Sequence, residues 1–462
     1  MRKISPKLLV LIAVIFAVAG GGWYAEIARN WNQVVTLAVF SGVISTTLLF
    51  WERRVAAAFF GIAILVATHT TTLSKMMVGT ELEIIFFLIG MMIVVGVLKD
   101  FGFLAWIIST IINRKHMNGP KFVIILCTLA AILASVVDEV SSIVVVLALV
   151  FQVSSTLKLR PHPFVLMSVL ATNIGSSATM LGNPVGIFIG NKAGFTFAEF
   201  LTGATPVALL ALAVTLALML WYFRKDISYM SKRMHEQRQV GCGFSLSERI
   251  PYKTGIIILL VLIVVIAFHH QIEAMLGIIG KGNKNAFLIM TPLIVAGALM
   301  VWRPKKARHY VEKDVEWWTL LFFMLLFSIS DTMRELGITE NLAHQLTANV
   351  QGGPSAMIPF VLLLSSLGSA FVDNIVFVAA FSPVIQNLVS ASSSYTVLWW
   401  ALLFGACFGG NITVVGSTAN IVASGLLEKH GFKPISFGEW IKIGALVGLV
   451  TALVAWAYLI LV

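Results

Sequence analysis

Twice in this chain an aspartate stands in the middle of a long apolar run, and the two settings read as copies of each other. The first is Ala134-Ser135-Val136-Val137-Asp138-Glu139-Val140; the second is Ser369-Ala370-Phe371-Val372-Asp373-Asn374-Ile375. An ionisable group at membrane depth costs about 3 kcal/mol on insertion scales, so it is kept only where it faces protein, water or an ion. Two such groups at matched positions of a repeat point to the centre of a secondary transporter.

Composition fits this reading. The 462 residues are 58% hydrophobic and 11% charged, whereas a soluble domain is about 25% charged. The chain therefore reads as an all-α polytopic membrane protein with little room for a soluble domain. The net charge of +11 does not imply nucleic acid, because the Lys and Arg residues lie in short loops between apolar spans, where they set topology. Cys127, Cys242 and Cys407 show no metal-ligand spacing. Cys127 and Cys407 lie in apolar segments and read first as packing residues, second as soft ligands for a trivalent metalloid. No cofactor and no enzymatic reaction are implied, and the absence of an ATP-binding motif means that any ATPase would be a separate subunit.

The basic residues give a topology, since positive charge stays cytoplasmic. Met1-Arg2-Lys3 before an apolar run resembles a signal peptide, but no small-x-small cleavage site follows, so a retained first span with a cytoplasmic N-terminus is expected. Spans are expected at residues 8–23, 34–50, 55–71 and 83–98. Residues 121–157 are apolar on either side of Asp138-Glu139 and basic at both ends. They form either two full helices with Asp138 outside or a re-entrant hairpin with Asp138 near mid-membrane; the repeat favours the hairpin. Residues 164–190 cross with a break in the middle, and 206–223 return. Residues 224–253 carry seven Lys and Arg and read as a cytoplasmic loop. An antiparallel pair, 254–268 and 287–302, follows, with His269-His270 in an outer loop. The second half repeats the plan: a span at 317–331, a hairpin at 358–388 turning at Asp373, a broken span at 397–427 and a last crossing at 440–462. Four parts result: N-terminal helices (1–82), a first repeat (83–223), a cytoplasmic loop and linking helix pair (224–315) and a second repeat (316–462).

The repeat is measurable. Glu83 pairs with Glu316, Asp138 with Asp373 and Gly182 with Gly416, at offsets of 233, 235 and 234 residues. The charge pattern starts the first unit outside and the second inside, so the copies are inverted. Glu139 has no acidic counterpart, because Asn374 takes its place, and it reads as a solvent-facing turn residue. Both breaks are rich in small polar residues. The first holds Asn173, Gly175, Ser176, Ser177, Thr179, Gly182 and Asn183; the second holds Gly410, Asn411, Thr413, Gly416, Ser417, Thr418 and Asn420. Irregular backbone survives in a membrane only when buried in protein or lining a wet cavity. These fourteen residues are candidate solute ligands, and close helix packing is the alternative. Asp138 and Asp373, with Asn374, are the candidate proton or cation sites, since no Lys or Arg lies in either hairpin arm.

The segments Val372-Asp373-Asn374-Ile375 and Gly405-Ala406-Cys407-Phe408-Gly409-Gly410-Asn411-Ile412-Thr413-Val414-Val415-Gly416-Ser417-Thr418-Ala419-Asn420 resemble the second-half signature of the ion transporter superfamily. So do Thr172-Asn173-Ile174-Gly175-Ser176-Ser177-Ala178-Thr179 and Gly182-Asn183-Pro184 in the first half. The branch resembled holds arsenite pumps, NhaD-type Na⁺/H⁺ antiporters and the melanosomal P protein. Trp221-Tyr222-Phe223-Arg224-Lys225-Asp226-Ile227 is similar to a segment of bacterial arsenite pumps, whereas the Asp-Glu and Asp-Asn turns are closer to the antiporters and the P protein. The resemblance implies a scaffold half and a moving transport half, often in a homodimer, in an inner (plasma) membrane. It implies proton-coupled efflux of arsenite and antimonite, with an ATPase subunit in some relatives. Na⁺/H⁺ antiport and anion or dicarboxylate transport are the alternatives.

Overall fold

The computed structural model describes residues 6–102, 117–239, 253–275, 286–350 and 352–461. All regular elements among them are helical. The N-terminal group is α1 (Pro6–Tyr24), α2 (Trp31–Leu49), α3 (Arg54–Ala67) and the short α4 (Leu73–Val78), followed by α5 (Leu82–Asp100). The first hairpin is α6 (Gly119–Val136) and α7 (Glu139–Leu157). The first broken helix is α8 (His162–Gly175) and α9 (Pro184–Ala193), followed by α10 (Phe197–Gly203) and α11 (Thr205–Tyr222). Next come α12 (Arg224–Gln239), α13 (Lys253–Ala267), α14 (His269–Met275), α15 (Ala286–Trp302) and α16 (Pro304–His309). The second half holds α17 (Trp317–Glu335), α18 (Ile338–Asn349), the hairpin α19 (Gly353–Phe371) and α20 (Asn374–Ala391), the broken helix α21 (Val397–Gly409) and α22 (Thr418–Lys429), and α23 (Phe437–Leu461). Among the described residues, seven helices are long and apolar enough to cross a membrane, four of them hairpin arms. The bent pair Pro304–Asp314 and Trp317–Glu335, 57° apart, makes an eighth candidate. Large apolar side chains such as Phe60, Leu209, Ile257 and Leu453 remain exposed, as a lipid-facing belt requires.

The two repeats are built alike, and small residues explain how. In each, the first hairpin arm lies against the first half of the broken helix, α6 on α8 and α19 on α21. A Cβ on Gly175 would run into the backbone of Ala131; one on Gly409 would run into that of Ser366. Contacts this close need glycine. Beyond them, Thr179 Oγ1 donates to the Ser135 carbonyl and accepts from Leu181 N at 3.1 Å. Thr413 Oγ1 donates to the Ala370 carbonyl and accepts from Val415 N at 3.2 Å. A hydroxyl in each break thus ties it to the turn of its own hairpin.

The inversion is visible at both ends of the core. The start of the first broken helix meets the end of the second: His162 Nε2 lies 2.8 Å from the Lys433 carbonyl, and Arg160 pairs with Glu439 at 3.2 Å. At the other end, Trp400 of α21 stacks on Phe195, just beyond α9, at 4.4 Å. Second elements cross over: α7 packs on α22, and α9 on α20.

Two expectations are corrected. Residues 224–239 are helical, not loop. Ile227, Met230 and Met234 recur at helical spacing and are buried, while Ser231 Oγ accepts from Gly119 N at 2.9 Å and Arg233 Nε donates to the Leu157 carbonyl at 3.1 Å. The apolar stripe and these bonds fasten the helix beneath the first hairpin. His269 opens α14 and is buried, its Nδ1 2.8 Å from the Ile266 carbonyl, so it is not a free outer-loop residue. Cys242 lies outside the described residues.

Candidate functional site

The hairpin turns converge on one cavity of about 240 Å³. Asp138, Glu139 and Asp373 line it, with Asn374, and so do Asn183 and Thr418 from the breaks. Helices α5 and α17 form the facing wall, through residues that include Met92, Lys99, Thr319 and Phe323, with Asp314 and Glu316 just before α17. Both hairpin turns therefore end inside the protein, as re-entrant hairpins do.

Four helix N-termini meet here, those of α7, α9, α20 and α22. Asp138 caps α7, its Oδ1 accepting from Ser141 N at 2.8 Å. Asp373 caps α20, with Ile375 N at 3.3 Å, and its Oδ2 accepts from Thr418 Oγ1 at 2.6 Å. Asn183 caps α9 through Gly186 N at 2.8 Å, and Ser417 caps α22 through Ala419 N at 3.2 Å. Each N-terminus carries about half an elementary positive charge, so the four together balance roughly two carboxylates. Behind the facing wall, buried Arg54 stacks 3.8 Å from the Trp51 ring and donates to Thr319 Oγ1 at 3.2 Å, and Thr319 donates to Glu316 Oε2 at 3.3 Å. This chain holds Glu316 toward the cavity.

Most other candidate ligands serve the joint between the repeats. Asn173 donates to Asn411 Oδ1 and Asn420 Oδ1, each at 2.9 Å, and accepts from Ser417 Oγ at 3.0 Å. Asn183 donates to Ser176 Oγ at 2.9 Å and Cys407 Sγ at 3.2 Å. At the repeat offset of 234, Asn173 maps onto Cys407 and Asn183 onto Ser417. The Asn173–Ser417 and Cys407–Asn183 pairs are therefore images of each other. Asn420 also donates to the Gly410 and Thr413 carbonyls at 2.8 Å. Ser176 and Ser177 bond back to their own helix, at 3.0 Å and 2.8 Å. Gly182 and Gly416 lie where a Cβ would meet the Ser176 and Gly410 backbones. Of the fourteen candidates, Asn183 and Thr418 line the cavity.

The cysteines are not brought together. Cys127 Sγ contacts the Met167 carbonyl at 3.6 Å and Met219 Sδ at 4.0 Å, away from Cys407, and neither thiol lines the cavity. Glu139 is also corrected: it is 3% exposed at the hairpin tip, not turned to bulk solvent. Lys99, Asp314 and Glu316 were not singled out as site residues. Each sits at or next to a span end, where charge ordinarily reports topology.

Inverted repeats, re-entrant hairpins and broken helices around a polar cavity define a helical membrane transporter of the ion transporter superfamily. The family model described as "CitMHS: Citrate transporter" matches residues 46–405, and the chain belongs to that family. It is 30% identical over 439 residues to the "46 kDa membrane protein" of Mycobacterium leprae, across 92% of this chain and 98% of the relative. It is 26% identical over 497 residues to the P protein of Mus musculus, across 92% of this chain but 60% of that protein. The crystal structure of the Alcanivorax borkumensis YdaH transporter shares the fold, with a TM-score of 0.53 at 16% identity over 83% of this chain and 86% of that one.

Proposed function

We propose that the protein is a cation-coupled secondary transporter, with the proton as coupling ion and the hairpin-tip cavity as its solute site. One observation carries this reading. Among the described residues, Asp138, Glu139, Asp314, Glu316 and Asp373 line the cavity against one basic residue, Lys99. Buried carboxylates need protons or cations to be stable, so solute and coupling ion meet in one place. The repeats 83–223 and 316–462 carry transport in this reading, while 1–82 and 224–315 support them, the latter lending Asp314 to the cavity. The positive-inside pattern puts the Lys99 and Glu316 side of the cavity toward the cytoplasm.

For the solute, the acidic lining favours a neutral or cationic species. Arsenite and antimonite hydroxides meet that condition and would be held by hydroxyl and carboxylate contacts, because no thiol among the described residues lines the cavity. Na⁺ meets it too. A second reading, a carboxylate such as citrate, is supported by the family description and by the four helix N-termini beside Lys99. Such an anion would enter with its charge compensated by protons or cations.

Solute-driven proton flux in proteoliposomes, with a pH dye inside, tests this. Arsenite, antimonite, Na⁺, Li⁺ and citrate are added in turn. The expected result is a proton flux driven by at least one of them and lost in Asp138→Asn and Asp373→Asn. Solute flux without any proton or cation movement would overturn the proposal.

A further inference from the structure

Three carboxylates stand at the hairpin tips, and their surroundings differ. Asp138 and Asp373 accept bonds from the backbone of helices they cap, and Asp373 also accepts the Thr418 hydroxyl. Those are the contacts that favour an ionised carboxylate. Glu139 Oε1 has one long contact, 3.4 Å from Ser417 Oγ, whose hydrogen is shared with the closer Asn173 Oδ1, and its Oε2 is buried with no hydrogen-bond partner among the described residues. Ser176 and Asn183 stand close enough to Glu139 to favour its charge, but their hydrogens are directed elsewhere, Ser176 to the Asn173 carbonyl, and Asn183 to Ser176 and Cys407.

The local charges point the same way. Four helix N-termini balance roughly two carboxylates, which accounts for the aspartates that cap α7 and α20. On the facing wall Lys99 stands with Asp314 and Glu316, and behind it Arg54 reaches Glu316 through Thr319. Cys407 adds a thiol behind Asn183. Glu139 is left over, and an unbalanced buried carboxylate is too costly to keep ionised without a proton or cation.

We infer that Glu139, rather than either aspartate, is the group that takes up and releases the coupling proton. This rests on the cation-coupled reading and assigns its proton to one residue. In the state seen here, a carboxylate oxygen of Glu139 forms an O–H bond with a proton released by a hydronium ion in the cavity, whose own O–H bond breaks to leave water, and the carboxyl gives the proton back to water as hydronium when the cavity opens to the other side. No other bond is made or broken. Because Asn374 occupies the equivalent position in the second hairpin, there is one such site per chain, which fixes one proton per cycle at this position.

Infrared difference spectroscopy of the purified protein in nanodiscs tests the inference without a known solute. Buffer is exchanged across the neutral range while the carboxyl C=O band is followed. The wild type should show one titrating band. It should vanish in Glu139→Gln, return displaced in Glu139→Asp and persist in Asp138→Asn and Asp373→Asn. A titrating band that survives Glu139→Gln, or is absent from the wild type, overturns the assignment. Size-exclusion chromatography establishes that each variant is folded, and Glu139→Asp stands in if Glu139→Gln is not. If the band behaves as stated but no solute in the proteoliposome panel moves protons, the transport reading fails and the proton site stands.

Discussion

Replacing Asn173 by alanine removes the centre of the joint between the repeats. Its amide makes two donor bonds, to Asn411 and Asn420, and accepts one from Ser417, all buried. The losses are unequal. Asn420 keeps its two bonds to the Gly410 and Thr413 carbonyls, so its amide N–H groups stay satisfied while its Oδ1 is orphaned. Asn411 Oδ1 is orphaned as well, and Ser417 is left with the long contact to Glu139. An unsatisfied buried group costs about 1–3 kcal/mol, whereas single hydrogen bonds inside membrane proteins average about 0.6 kcal/mol. Two orphaned acceptors and one weakened donor then come to about 2–4 kcal/mol. Equilibrium unfolding by SDS titration in mixed micelles, read by tryptophan fluorescence, measures this directly. The double variant Asn173→Ala/Ser417→Ala should be less destabilised than the sum of the singles by about 0.5–1.5 kcal/mol, as for residues in direct contact. Ser177→Ala, whose hydroxyl bonds only within its own helix, should cost under about 1 kcal/mol. Additivity in the double variant, or an Asn173→Ala variant as stable as Ser177→Ala, would refute the argument that this joint holds the repeats together.

The glycines give a second contrast. Gly175→Ala pushes a Cβ into the Ala131 backbone and should destabilise by about 1–3 kcal/mol, whereas Gly425→Ala in α22 meets open space and should be neutral or stabilising by up to about 1 kcal/mol, by the same titration. On the face away from Lys99, the Lys192–Glu81 ion pair joins the core to the N-terminal end of α5, and it is only about one-fifth exposed. Either single reversal, Lys192→Glu or Glu81→Lys, should lower thermal stability by about 1 kcal/mol, with the double reversal recovering at least half; two reversals that simply add would count against the pair.

Landmark spacing revealed the repeat and favoured the hairpins, because an acid in an apolar run is rare enough for its offset to carry information, while the basic residues gave the inversion and the small polar clusters gave the breaks. The division of labour within the polar clusters was not legible. The same Ser, Thr and Asn content suits ligand binding and tight packing, and which one each residue serves depends on partners about 240 residues away. Glu139 misread for a related reason. A second acid beside Asp138 looks like a turn residue until the turn is known to point inward. Lys99 and Glu316 carry no local mark, since a charge at a span end looks the same whether it faces lipid headgroups or a cavity. The helix at 224–239 was hidden by its charge density; its apolar stripe is only three residues long on the buried face.

The bonds across the joint also set a timetable for synthesis. Asn411 lies 238 residues beyond Asn173. At translation rates of about 5–20 residues per second, the first broken helix waits roughly ten to fifty seconds for its partner. Through that interval Asn173 sits in a half-built core with its amide unmet. The first repeat therefore completes its polar core only once the second is threaded, and a chain stopped after α11 lacks every partner that Asn173 has across the joint.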